Sequence, residues 1–176
     1  MGSYSDADHL LPFVTKKDRE DALNILRKIV KAMSKEGCPY RGPMYGQFML
    51  TKNGPKIIEI NARFGDPEAM NVLPILEDSF EDICRAMAGG NMNEIVRFRK
   101  AATVCKYVVP EGYGTNPVYG KAITVDEDGV SLEGAKVFYA NVDMVNGKLV
   151  TGRSRSVGIV GIAGSISETE EKCESA

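Results

Sequence analysis

Two short runs, Tyr45-Gly46-Gln47-Phe48-Met49-Leu50 and Lys56-Ile57-Ile58-Glu59-Ile60-Asn61, with Asn53-Gly54 between them, decide the fold of this 176-residue chain. Both runs are extended and largely apolar. Asn-Gly is a strong hairpin turn signal, because both residues tolerate positive φ. Side chains alternate along a strand, so Glu59 and Asn61 share one face while Ile58 and Ile60 share the other. A carboxylate and an amide oxygen two residues apart suit a hard cation, and Gln47 adds a third oxygen if the register sets it opposite. Arg63, Asp66 and Glu68 follow within one loop, whose backbone is shaped by Gly65 and Pro67.

The plain reading makes Glu59 and Asn61 the solvated face of a half-buried hairpin. The immediate succession of Arg, Gly, Asp and Pro favours a site instead. For Arg63 two roles stand: its planar fork suits a carboxylate or phosphate, or it pairs internally with Asp66 or Glu68. Asp66 can orient an amino group, cap the helix ahead of Pro67, or do both. Mg²⁺ is usually held by one or two carboxylates plus substrate phosphates, so this sparse oxygen set points to ATP phosphates as the remaining ligands. The sequence contains neither G-x-x-x-x-G-K-[ST] nor G-x-G-x-x-G.

Outward from the hairpin, Thr15 and Asp18 form a capping box. Ala22, Ile25, Leu26, Ile29, Val30 and Met33 then recur at helical spacing, which predicts a helix over 16–36 ended by Gly37. Residues 38–43 read as a loop. Pro67 suits the first position of a helix over 68–73, which Pro74 kinks or breaks. Ser79 and Asp82 cap a further helix closed by Gly89-Gly90.

Residues 91–99 form a charged seam through Glu94, Arg97 and Arg99. Beyond it, strands are predicted at 102–109, 121–125, 136–142, 148–151 and 156–162. Asn146-Gly147 marks a hairpin turn and Asp128-Gly129 a weaker one. A last helix is predicted from Ser167 and Glu170. The class is therefore α+β, with a helix-and-hairpin domain at 1–95 and a small, strand-rich, partly barrel-like domain at 96–176. Residues 1–12 carry no periodicity, and both ends of the chain are expected to be cuts in a longer protein.

Net charge is only −2, which gives no electrostatic case for a nucleic-acid or anionic-membrane partner. No apolar run approaches the ~20 residues of a membrane span, and no secretory leader is expected. Cys38, Cys84, Cys105 and Cys173 form no C-x-x-C pair, pointing to a reduced, cytoplasmic setting.

The run Glu59-Ile60-Asn61-Ala62-Arg63-Phe64-Gly65-Asp66-Pro67-Glu68 resembles the signature of the phosphoribosylamine–glycine ligases, which are ATP-grasp enzymes of purine biosynthesis. Glu-x-Asn-x-Arg alone is widespread among ATP-grasp ligases; Phe-Gly-Asp-Pro-Glu makes the likeness specific. Met1-Gly2-Ser3-Tyr4-Ser5 resembles the end of the family's Gly-Gly-Met-Gly loop with its Tyr-Ser continuation, so the resemblance spans essentially the whole chain. It implies a C-terminal ATP-grasp subdomain followed by the family's small C-terminal domain. By the same resemblance, Glu59 and Asn61 are ligands for Mg²⁺ or Mn²⁺ on ATP, and Gln47 completes the set. Residues 63–68 are the loop lining the acceptor site, with Arg63 and Asp66 in catalytic roles and Gly65 and Glu68 in binding. Gly2, Ser3 and Tyr4 are a loop near the same site.

The implied reaction phosphorylates glycine to an acyl phosphate, which the amine of 5-phosphoribosylamine attacks. The resemblance also implies an N-terminal domain and a lysine-bearing lid, neither found in this chain, so the isolated polypeptide is expected to bind Mg²⁺–ATP weakly and not to ligate. Three motifs depart from the family: Phe138-Tyr139-Ala140-Asn141 stands for Phe-His-Ala-Gly, Gly112-Tyr113-Gly114 for Gly-Tyr-Pro, and Thr151-Gly152-Arg153-Ser154-Arg155 for Thr-x-Gly-Gly-Arg. In the last, Arg155 is the better match to the family arginine.

Overall fold

The computed structural model describes residues 1–92 and 95–176; Asn93 and Glu94, within the expected seam, lie outside the described residues. In chain order the elements are β1 (Gly2–Ser5), α1 (Lys16–Lys35), β2 (Tyr45–Thr51), β3 (Gly54–Asn61), α2 (Glu68–Val72) and a 3-10 turn (Leu73–Ile75). There follow α3 (Phe80–Gly89), β4 (Ala102–Val108), α4 (Glu127–Leu132), β5 (Ala135–Tyr139), β6 (Val142–Val145), β7 (Lys148–Thr151), β8 (Val157–Ala163) and α5 (Ile166–Ser175). They fall into two compact units: residues 10–69 with 75–99, and residues 1–9 with 70–74 and 100–176. The sequence division at 95/96 leaves residues 1–9 and 70–74 on the other side of the boundary. Among the described residues, no helix is long and apolar enough to cross a membrane.

The first unit is built on the antiparallel hairpin of β2 and β3, against which α1 packs. Its helix starts where the sequence predicts: the Asp18 amide donates to Thr15 Oγ1 and the Thr15 amide to Asp18 Oδ2, both at 3.1 Å. Gly37, at φ 77°, closes α1, and the Cys38 amide donates to the Met33 carbonyl at 2.9 Å. In the hairpin turn only Gly54 has positive φ, at 85°, because Lys52 and Asn53 make the bend and the glycine relieves it. Ser79 caps α3 by accepting from the Asp82 amide, and Gly90, at φ 70°, ends it. Asp78 then ties down the strand-like segment beyond α3, accepting from the Arg97 amide at 2.6 Å and from its Nε at 2.9 Å.

The second unit holds a four-stranded antiparallel sheet in the order β1-β4-β8-β5. Its core gathers Val104, Val130, Ala135, Val157, Ile159 and Cys173, supplied by β4, β5, β8 and the helices α4 and α5. β8 carries Gly161 where α5 crosses, and a Cβ there would stand 2.4 Å from the Thr169 carbonyl oxygen, so glycine permits the close approach. Lys106 on β4 adds ion pairs to Glu170, at 2.9 Å, and to Glu174 on α5. β6 and β7 form a separate hairpin whose turn residues Asn146 and Gly147 both have positive φ, 49° and 74°.

Several short elements differ from the sequence reading. Gly2, Ser3 and Tyr4 form an edge strand rather than a loop, pairing with Lys106, Cys105 and Val104. Residues 121–125 make only one bridge, Ala122 to Val150, so they are not a strand. Asp128-Gly129 lies inside α4, capped by Asp126, instead of forming a turn. The predicted strand over 136–142 ends at Tyr139, and Val142 opens the next one. The last helix is capped two residues earlier than predicted, by Ser165, which accepts from the Glu168 amide.

Candidate functional site

Within the hairpin unit, β2 and β3 place Gln47 directly across from Glu59, and Tyr45 across from Asn61. The register slips by one residue beyond Gln47, where Phe48 faces Ile57. Such a bulge locally re-aims side chains and ends regular pairing. Glu59 and Asn61 stay on one face, and Asn61 Nδ2 donates to Glu59 Oε1 at 3.0 Å. That bond holds the carboxamide against the carboxylate.

Three oxygen-bearing side chains are therefore set at neighbouring positions of the hairpin, with a single carboxylate among them. No group of three or more His, Cys, Asp or Glu that could hold a metal occurs among the described residues. The donor set is too lightly charged for an all-protein cage. It fits Mg²⁺ or Mn²⁺ that keeps phosphate and water ligands.

β3 runs directly into the loop of residues 62–67. Arg63 is exposed, and its Nη1 donates to the Phe64 carbonyl at 2.8 Å, so the guanidinium is braced by its own loop. Phe64 in turn packs against Phe80 of α3, with ring centroids 6.3 Å apart. Gly65 and Pro67 are buried while Asp66 between them is exposed, and the Asp66–Pro67 peptide is cis. The Ala69 amide donates to the Gly65 carbonyl at 2.9 Å, which starts the helical turn of Glu68.

Tyr45 is a component that the sequence pattern does not single out. Its phenol is pushed up to about 12, first by burial and then by the neighbouring Glu68 carboxylate, with Glu59 adding a smaller contribution. An aromatic residue two before Gln47 on the same face of β2 is the signal that could have found it.

The hairpin unit thus brings together Gln47, Glu59, Asn61, Arg63, Gly65, Asp66 and Glu68. Gly2, Ser3 and Tyr4 belong to the other unit, where their surroundings are structural. A Cβ on Gly2 would stand 2.1 Å from the Cys105 carbonyl oxygen. The Ser3 hydroxyl hydrogen-bonds Asn71 Oδ1, and Asn71 Nδ2 donates to the Ser3 carbonyl at 3.2 Å and to Thr103 Oγ1 at 3.1 Å.

Residues 1–69 match the profile of the phosphoribosylglycinamide synthetase ATP-grasp (A) domain, and residues 103–176 match that of the phosphoribosylglycinamide synthetase C domain. Phosphoribosylamine–glycine ligase of Methanocaldococcus jannaschii is 52% identical over 177 aligned residues; these are all of this chain and 40% of the relative. The crystal structure of phosphoribosylamine–glycine ligase from Thermotoga maritima superposes with a TM-score of 0.80 at 30% identity, covering 99% of this chain and 41% of that one. N5-carboxyaminoimidazole ribonucleotide synthetase from the same organism shares the fold alone, with a TM-score of 0.64 at 20% identity over 92% of this chain and 41% of that one. The chain thus spans about 40% of the length of the curated relatives it matches. With the signature loop intact, both domain profiles matched and the fold shared along its length, the chain belongs to the phosphoribosylglycinamide synthetase family.

Proposed function

We propose that this chain is part of an ATP-dependent ligase that joins glycine to 5-phosphoribosylamine, giving glycinamide ribonucleotide, ADP and phosphate in the cytoplasm. The observation that carries the reading is the pairing of Gln47 with Glu59, beside Asn61, at the head of the Arg63–Glu68 loop. Oxygen donors for a metal–nucleotide and a guanidinium for a transferring phosphoryl group lie within one continuous strand and loop.

In this reading Glu59 and Asn61, with Gln47, would hold Mg²⁺ or Mn²⁺ on ATP. The bound cation supplies charge screening of the phosphate oxygens. Arg63 offsets negative charge on the glycine carboxylate and the phosphoryl group as it transfers. The glycine carboxylate oxygen attacks the γ-phosphorus, and ADP leaves. The amine nitrogen then attacks the glycyl carbonyl carbon, and phosphate leaves as the amide forms and the nitrogen loses a proton. Asp66 orients the incoming amine, and Gly65 and Glu68 line the substrate side of the loop.

The N-terminal and lid domains implied by the family supply the rest of the nucleotide site, and exclusion of water protects the acyl phosphate. The division into an ATP-grasp part over 1–95 and a C-terminal part over 96–176 belongs to the same proposal. The test is turnover of a full-length protein containing residues 1–176. Phosphate release that requires both glycine and the amine, with formation of glycinamide ribonucleotide, is expected. ATP hydrolysis indifferent to glycine would overturn the reading.

A further inference from the structure

Gly65 is buried against two side chains from different elements. A methyl group on it would stand 2.4 Å from Glu68 Oε2, at the start of α2, and 3.1 Å from Tyr45 Cγ, on β2. Gly65 does not have a positive φ, so its lack of a side chain serves this close approach and not a turn. Tyr45 is also the cross-strand partner of Asn61, the last residue of β3. The loop of residues 62–67 is therefore held at its entrance by strand pairing. At its exit Gly65 lies against both Tyr45 and Glu68.

We propose that Tyr45 is a positioning residue for the ligase reaction: its ring seats Gly65 and its hydroxyl engages Glu68, which together fix the loop that presents Arg63 and Asp66. The inference rests on the ligase reading above. The Glu68 carboxylate and the Tyr45 ring lie against the same face of Gly65, which sets the carboxylate beside the phenol. A tyrosine that merely filled space here would be replaced by phenylalanine without consequence. One that positions the loop would not, because small displacements of a charged group facing the reacting atoms cost rate.

The test is steady-state kinetics of the full-length protein with ATP, glycine and 5-phosphoribosylamine. Tyr45→Phe keeps the ring and removes only the hydroxyl. It is expected to lower kcat roughly tenfold while KM for ATP stays within about twofold, since Glu59 and Asn61 are untouched. Glu68→Gln is expected to lower kcat as well, and the double variant to be no slower than the slower single variant by more than about twofold, as for two halves of one device. Wild-type kcat in Tyr45→Phe, or losses that multiply in the double variant, would overturn the inference alone. A wild-type protein without glycine- and amine-dependent turnover would overturn the ligase reading and this inference with it.

Discussion

Gln47 and Glu59 face each other across the hairpin at the last regular pair before the bulge, and the next residue of β2, Phe48, pairs with Ile57, skipping Ile58. The slip separates a polar end of the hairpin from an apolar end. It also sets Gln47 directly across from Glu59, the one carboxylate of the oxygen-bearing set. In the proposed site Gln47 is a direct ligand, and its loss costs at least what loss of an outer-shell partner costs. Gln47→Ala in the full-length protein is therefore expected to raise the Mg²⁺ concentration for half-maximal activity by about tenfold or more. A metal titration of activity checks it, and an unchanged midpoint removes Gln47 from the site.

Asn71 is 3% exposed and bonds Ser3 and Thr103 from the centre of its unit. Truncation strands the buried Thr103 and half-buried Ser3 groups, so Asn71→Ala is expected to cost roughly 2–3 kcal/mol of stability. Denaturant unfolding of the two proteins gives the difference directly.

The Tyr45 phenol, raised to about 12 by burial and by Glu68, predicts a late ionisation. Because the folded value lies above the ordinary value of about 10, the contribution to stability is complete below pH 10 and is lost as the pH climbs toward 12. Subtracting the tyrosinate absorbance titration of Tyr45→Phe from that of the wild type should leave a step near 12. A step near 10 would mean that the phenol is not held as described.

The four cysteines divide by burial: Cys38 and Cys84 are exposed, Cys105 and Cys173 buried. Burial also pushes the Cys173 thiol up, leaving less nucleophilic thiolate at neutral pH. Alkylation followed by mass spectrometry is expected to modify Cys38 and Cys84 quickly, and Cys105 and Cys173 only after denaturant is added.

Much of this arrangement is legible in the amino-acid sequence. The capping box at Thr15, the glycine stop at Gly37, the hairpin and the cap at Ser79 are each written in local chemistry, and all are present. The Glu59–Asn61 pair follows from strand alternation alone. What sequence pattern misses is short or degenerate. β1 has four residues and no alternation to read; it exists because β4 offers it partners and Asn71 bonds Ser3. α4 has six residues, too few for a helical period, and its Asp128-Gly129 mimics a turn. Ser165 and Ser167 are each followed three residues later by a glutamate, so pattern cannot choose between them, and packing chooses Ser165. Tyr45 is hidden for a different reason. Its partners Gly65 and Glu68 are twenty or more positions away, and only the return of the loop brings them together.

The most direct measurement compares product formation by the full-length wild type and its Glu59→Gln variant, with ATP, glycine, 5-phosphoribosylamine and Mg²⁺ all present. Glutamine keeps the shape of the side chain and removes the one charge in the oxygen cluster. The account predicts glycinamide ribonucleotide from the wild type only when all three substrates are supplied, and a rate about a hundredfold lower in the variant. Equal rates in the two proteins would contradict it.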